Sequence, residues 1–88
     1  MEINKEIQLY ILKLLSEQFM YKDEIVENCL EQFKNILKTP NPSQTIKNQL
    51  KELSDNKMVA YYHGYKITEK GKSLSKSHFQ KNLRDLHQ

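Results

Sequence analysis

Pro42-Ser43-Gln44-Thr45-Ile46-Lys47-Asn48-Gln49-Leu50-Lys51-Glu52-Leu53 is the stretch on which the fold turns. Ile46, Leu50 and Leu53 recur four and then three residues apart, which places them on one apolar stripe of a helix. Turned inward, they leave Gln44, Lys47, Asn48 and Lys51 on the opposite face, with Asp55 one turn beyond. The residues just before predict where the helix starts. Asn41 can cap it, Pro42 suits the first helical position, and Gln44 stands where a capping-box partner belongs. Asn56-Lys57 provides the exit.

Upstream, Thr39-Pro40-Asn41-Pro42 is a short stiff connector, because each proline removes a backbone donor and biases the residue before it away from helix. A helix preceding it is predicted from Asp23, as its cap, to about Lys38. Glu24 and Glu27 lie near its positive end, and Ile25, Val26, Cys29, Leu30, Phe33, Ile36 and Leu37 repeat with helical period. A first helix is predicted from about Asn4 to Glu17, with Ile3, Ile7, Tyr10, Ile11, Leu14 and Leu15 as its stripe and Asn4 or an earlier residue as its cap. Between the two, Phe19, Met20 and Tyr21 form an apolar break able to add an edge strand to a later hairpin.

Downstream, Met58 to Thr68 is rich in aromatic and β-branched residues and is split by His63-Gly64. Read as a two-residue turn, that pair sets Tyr62 opposite Tyr65 and Ala60 opposite Ile67. Met58, Ala60, Tyr62, Tyr65 and Ile67 then share an apolar face, while Val59, Tyr61, Lys66 and Thr68 point outward. Thr68 can cap a last helix from about Glu69 to Leu86. Leu74 falls on a different face of that helix from Phe79, Leu83 and Leu86, so either the helix bends or its distal stripe packs on something else. The expected fold is mainly α with a small β-hairpin, in the order α1-(β1)-α2-α3-β2-β3-α4. Residues 1–88 then form a single domain, of which 69–88 are the C-terminal helix.

This order, with two pieces of sequence, resembles the winged-helix superfamily over about residues 3 to 77. Pro42 to Leu53 is similar to the recognition helices of bacterial and archaeal winged-helix regulators. Met58-Val59, followed by Gly64-Tyr65-Lys66-Ile67-Thr68-Glu69-Lys70-Gly71, resembles the strand, wing and Thr-Glu-Lys-Gly run of multiple-antibiotic-resistance-type (MarR) and PadR-type repressors. The resemblance implies a winged helix-turn-helix that binds double-stranded DNA and regulates transcription. The wing departs from strong minor-groove readers, being short and without an arginine at its tip.

Composition agrees with one small domain. The chain has 88 residues, 38 % hydrophobic and 28 % charged, enough for a core but with no low-complexity tract or flexible linker. The formal charge of +3 is unevenly spread, at −2 over Met1 to Pro42, +1 over Ser43 to Tyr65 and +4 over Lys66 to Gln88. The positive field therefore belongs to the second half. With a single cysteine, Cys29, no intramolecular disulfide forms, and a reducing, cytoplasmic location is expected. No apolar run nears the ~20 residues that cross a bilayer, and no signal-like leader opens the chain, so no membrane association is expected. Phosphate loops, Cys-x-x-Cys pairs and Ser/His/Asp groupings are absent. His63, His78 and His87 lack ligand spacing, so the expectation is a non-enzyme with no cofactor and no metal.

Sequence-specific binding of double-stranded DNA is the expected function. Gln44, Lys47, Asn48 and Lys51 would enter the major groove, since amides pair with adenine edges and lysines meet phosphate or guanine. Ser43 and Thr45 at the helix start, and Tyr61 and Lys66 side by side on the outer hairpin face, would hold phosphates. Phe79, Leu83 and Leu86 would pair two copies into a homodimer spanning two half-sites. Two alternatives stay open at this point: a winged-helix protein-docking module, and the DNA-reading subunit of a restriction or replication system.

Overall fold

The computed structural model describes residues 2–74. Three helices, α1 (Ile3–Glu17), α2 (Lys22–Phe33) and α3 (Pro42–Asp55), are followed by an antiparallel hairpin of β1 (Val59–Tyr61) and β2 (Tyr65–Ile67). Residues 69–74 are again helical, up to the edge of the described range. The architecture is mainly helical with one small hairpin, in the predicted element order. Phe79, Leu83 and Leu86, expected to pair two copies, lie outside the described residues, as does most of the span expected for the last helix.

One cluster of side chains joins the three helices and both strands of the hairpin. α1 contributes Ile7, Ile11, Leu12 and Leu15, α2 contributes Ile25, Val26, Cys29 and Phe33, and α3 contributes Ile46, Leu50 and Leu53. Met20, Val59 and Ile67 close it from the sheet side. Leu12, outside the predicted stripe of α1, is fully buried because α2, α3 and β2 all pack on that helix and widen the face it must cover. The break after α1 does add a strand position. Met20 and Tyr65 exchange backbone hydrogen bonds of 3.1 and 2.7 Å, tying the α1–α2 connection to β2.

Helix α2 differs from expectation at both ends. It begins at Lys22 with Tyr21 as its cap residue, and Asp23 lies inside the first turn. Glu24 rather than Asp23 satisfies the end, its carboxylate accepting the Tyr21 N–H at 3.0 Å. At the other end α2 stops at Phe33, not near Lys38. The N–H groups of Ile36 and Leu37 both donate to the Phe33 carbonyl, at 3.0 and 2.8 Å, so the last turn tightens and ends. Phe33 is the last α2 side chain that the core takes in, packed edge-on against Tyr10. Beyond it the chain must reverse towards Pro40-Asn41-Pro42, and Ile36 is left in solvent.

The hairpin register also differs. Val59 pairs with Ile67, Ala60 with Lys66 and Tyr61 with Tyr65, around a loop of Tyr62, His63 and Gly64. His63 and Gly64 both take positive φ, 56° and 137°. The ring of Phe19 lies against Gly64, where any Cβ would collide with it. One residue more in the loop exchanges the faces of β1. Val59 is buried in place of Ala60, and two extra buried carbons favour this by about 1.6 kcal/mol. Tyr62, expected inside, is exposed at the tip.

The Thr68-Glu69-Lys70-Gly71 run has a structural role. α3 ends in a Schellman motif, with Met58 N–H donating to Leu53 O at 2.9 Å and Lys57 N–H to Ser54 O at 3.0 Å. Lys57 therefore sits in left-handed backbone, φ 63°, where glycine is usual. The Thr68 hydroxyl donates to Lys57 O at 2.7 Å and accepts the Gly71 N–H at 3.2 Å, capping the last helix as predicted. Lys70 Nζ donates to Asn56 O at 3.0 Å. Gly71 fits against the Met58 carbonyl and the Ile67 side chain, with no room for a Cβ. The run thus straps the last helix across the end of α3.

Two substitutions of opposite sign follow. Lys57→Gly relieves the left-handed strain and should raise stability by about 0.5 kcal/mol. Gly71→Ala forces a Cβ into a backbone carbonyl and should lower it by about 1–3 kcal/mol. Urea midpoints that move in these two directions, with unchanged m, would bear this out.

Candidate functional site

The start of α3 is built locally. The Asn41 side chain accepts the Gln44 N–H at 3.1 Å, and Pro42 occupies the first turn, where its missing N–H is harmless. The reciprocal half of the expected capping box is not made. Gln44 instead reaches forward, its Nε2 donating to Asn48 Oδ1 at 2.9 Å, which orders two amides along one exposed face. The Thr45 hydroxyl donates to Asn41 O at 3.3 Å and serves the helix start.

The rotation of α3 about its axis is set by its buried side. Ile46, Leu50 and Leu53 are at most 1 % exposed, and transferring each from water contributes about 1.5–3 kcal/mol. Gln49 is buried beside them, and Gln8 Nε2 of α1 donates to its Oε1 at 2.8 Å. This bond adds direction to the non-directional apolar contacts. Sequence periodicity missed Gln49, because an amide on the edge of an apolar stripe reads as surface until its partner on another helix is known.

With that side inward, Gln44, Asn48 and Lys51 are exposed as expected, and Lys47 and Ser43 are half-buried. The outward stripe borders an open cleft of about 390 Å³, lined by Gln44, Lys47, Asn48 and Lys51 together with Lys22, Leu50, Ser54 and Tyr65. Four predicted site residues therefore meet in one place. Ser43, Thr45, Tyr61 and Lys66 are not among its lining residues. Tyr61 and Lys66, expected side by side, lie on opposite faces of the hairpin, because residues one pair apart in the true register point opposite ways. Lys22, Ser54 and Tyr65 are additions, and for Lys22 no local pattern could have signalled it. It follows the Met20–Tyr65 bridge, and that bridge brings the start of α2 towards β2.

Three lysines and no carboxylate line the cleft. Lys51 Nζ lies 3.2 Å from Asp55 Oδ2, but both side chains are largely exposed. Such a pair contributes less than about 1 kcal/mol and yields readily to a phosphate. The arrangement offers positive charge, two ordered amides and an aromatic ring to a polyanionic ligand. Among the described residues no three His, Cys, Asp or Glu side chains group as metal ligands, and no helix is long and apolar enough to cross a membrane.

Cys29 is the one cysteine, and its side chain is fully buried among α2 and its neighbours. Burial pushes its thiol from about 9 up to about 12, so it is no nucleophile at neutral pH. Comparisons with family models, with curated proteins and with solved structures return no match for this chain.

The thiol carries a pH signature. Between pH 9 and pH 12 the unfolded chain has released the Cys29 proton while the native state retains it, so stability falls as pH rises through that window. Cys29→Ala should be less stable at pH 7 and should lose less stability on going from pH 8.5 to pH 10.5. Parallel denaturation curves at those two pH values check this.

Proposed function

We propose that this chain is a winged-helix DNA-binding domain that acts in transcriptional regulation, with α3 as the helix that enters the major groove and the β1–β2 hairpin as the wing. The observation that carries the reading is the convergence of Lys22, Lys47, Lys51, Gln44 and Asn48 on one open cleft without a carboxylate in its lining. A helix is about 10–12 Å across with side chains, matching a major groove about 12 Å wide. The N-terminal part of α3 has no acidic residue before Glu52, so its leading turns approach phosphates without repulsion.

The Gln44–Asn48 bond supports direct base reading. It leaves Gln44 Oε1 as an acceptor and Asn48 Nδ2 with a donor to spare. An acceptor beside a donor complements the N6 amino group and N7 of adenine. Lys22, Lys47 and Lys51 serve as phosphate contacts that set position, and the amides supply discrimination.

Titration of the chain with duplex DNA across a salt series tests the reading. Three lysine–phosphate contacts predict a slope of log K against log salt of about −2.7, a loss of roughly forty-fold from 50 to 200 mM. Lys47→Ala and Lys51→Ala should each flatten the slope by about one. Affinity that is absent at low salt, or unchanged in a folded Lys47→Glu, Lys51→Glu double variant, refutes the proposal and favours a protein-docking role.

A further inference from the structure

The cleft has an aromatic wall that paired duplex leaves unused. Tyr65 lines it beside the three lysines. Tyr61, the cross-strand partner of Tyr65 and itself outside the cleft lining, meets that ring edge to face, 5.1 Å between centroids and 73° between planes. Tyr61 is 66 % exposed. An edge-to-face contact fixes a ring on one side and leaves other π surface open.

Tyr61 and Tyr65 share the hairpin face of Val59 and Ile67; Tyr65 packs against the core, whereas Tyr61, nearer the tip, is left largely exposed. In a continuous duplex each base is already stacked on both faces, and the groove presents only edges and phosphates. An unpaired base offers a free π face with a phosphate attached. A stacking ring next to a cluster of cations is the combination that holds such a nucleotide. The lysine cleft at the foot of the wall provides the cations.

Resting on the DNA-binding reading above, we propose that the Tyr61–Tyr65 wall stacks an unpaired base, so that the chain prefers duplex DNA bordered by unpaired nucleotides over fully paired duplex. Tyr61 then acts through its ring and not through its hydroxyl. The lysines of the cleft hold the backbone of the strand whose base leaves the stack.

Competition binding of the full chain to a blunt-ended, fully paired duplex, and to the same duplex carrying unpaired thymidine arms, tests this. The armed duplex should bind about tenfold tighter, within the range of single base–aromatic stacks. Tyr61→Ser should bring that ratio close to one, and Tyr61→Phe should retain it. A wild-type ratio of one overturns the proposal while leaving duplex binding intact. So does a ratio that survives in Tyr61→Ser, or one that Tyr61→Phe loses as fully as Tyr61→Ser. Failure to bind either DNA refutes the DNA-binding reading and this one with it.

Discussion

The packing of Ile46, Leu50 and Leu53 against α1 and α2 is the constraint from which the rest of the molecule follows. Turning α3 by one residue about its axis would draw a lysine or an amide into the core and expel an aliphatic side chain. An uncompensated buried charge costs several kcal/mol, so the alternative is closed. The Gln8–Gln49 bond narrows the choice further, since it forms only when α1 and α3 meet at one rotation and one height. The exposed stripe of Gln44, Asn48 and Lys51 is thus the other side of a packing decision.

A second set of contacts holds the hairpin where it borders that stripe. The Met20–Tyr65 bridge ties it to the connection between α1 and α2, and Thr68, Lys70 and Gly71 tie its far end to the last turn of α3. Both ties use backbone groups that would otherwise be left without partners at element ends. Among the described residues no buried side-chain nitrogen or oxygen lacks a partner. Lys57 pays in backbone strain for the sharp exit from α3 that makes the second tie possible.

Where sequence and structure part, tertiary packing outweighs a local signal. Ile36 fits the helical period of α2, yet the helix closes on the Phe33 carbonyl and leaves Ile36 in solvent, while Leu37 beyond it still packs against the core. Asp23 has the chemistry of a cap, but the helix caps two residues earlier, at Tyr21 just after the Met20 bridge, with Glu24 accepting the Tyr21 N–H. His63-Gly64 looks like a two-residue turn, but burial of Val59 and the seat of Phe19 on Gly64 favour a longer loop. That single-residue difference separates Tyr61 from Lys66 and joins Tyr61 to Tyr65.

The residue order alone determined the type and order of the described elements, the inward stripe of α3, its Asn41 and Pro42 start, and the polar face that results. These depend on periods and caps that span a few residues, and a few residues carry them. The gathering of Lys22, Tyr65 and the α3 lysines around one cleft, the hairpin register and the Gln8–Gln49 bond were decided only in three dimensions. Each joins residues far apart in the chain, and which of them meet depends on how much apolar surface the whole core can bury at once.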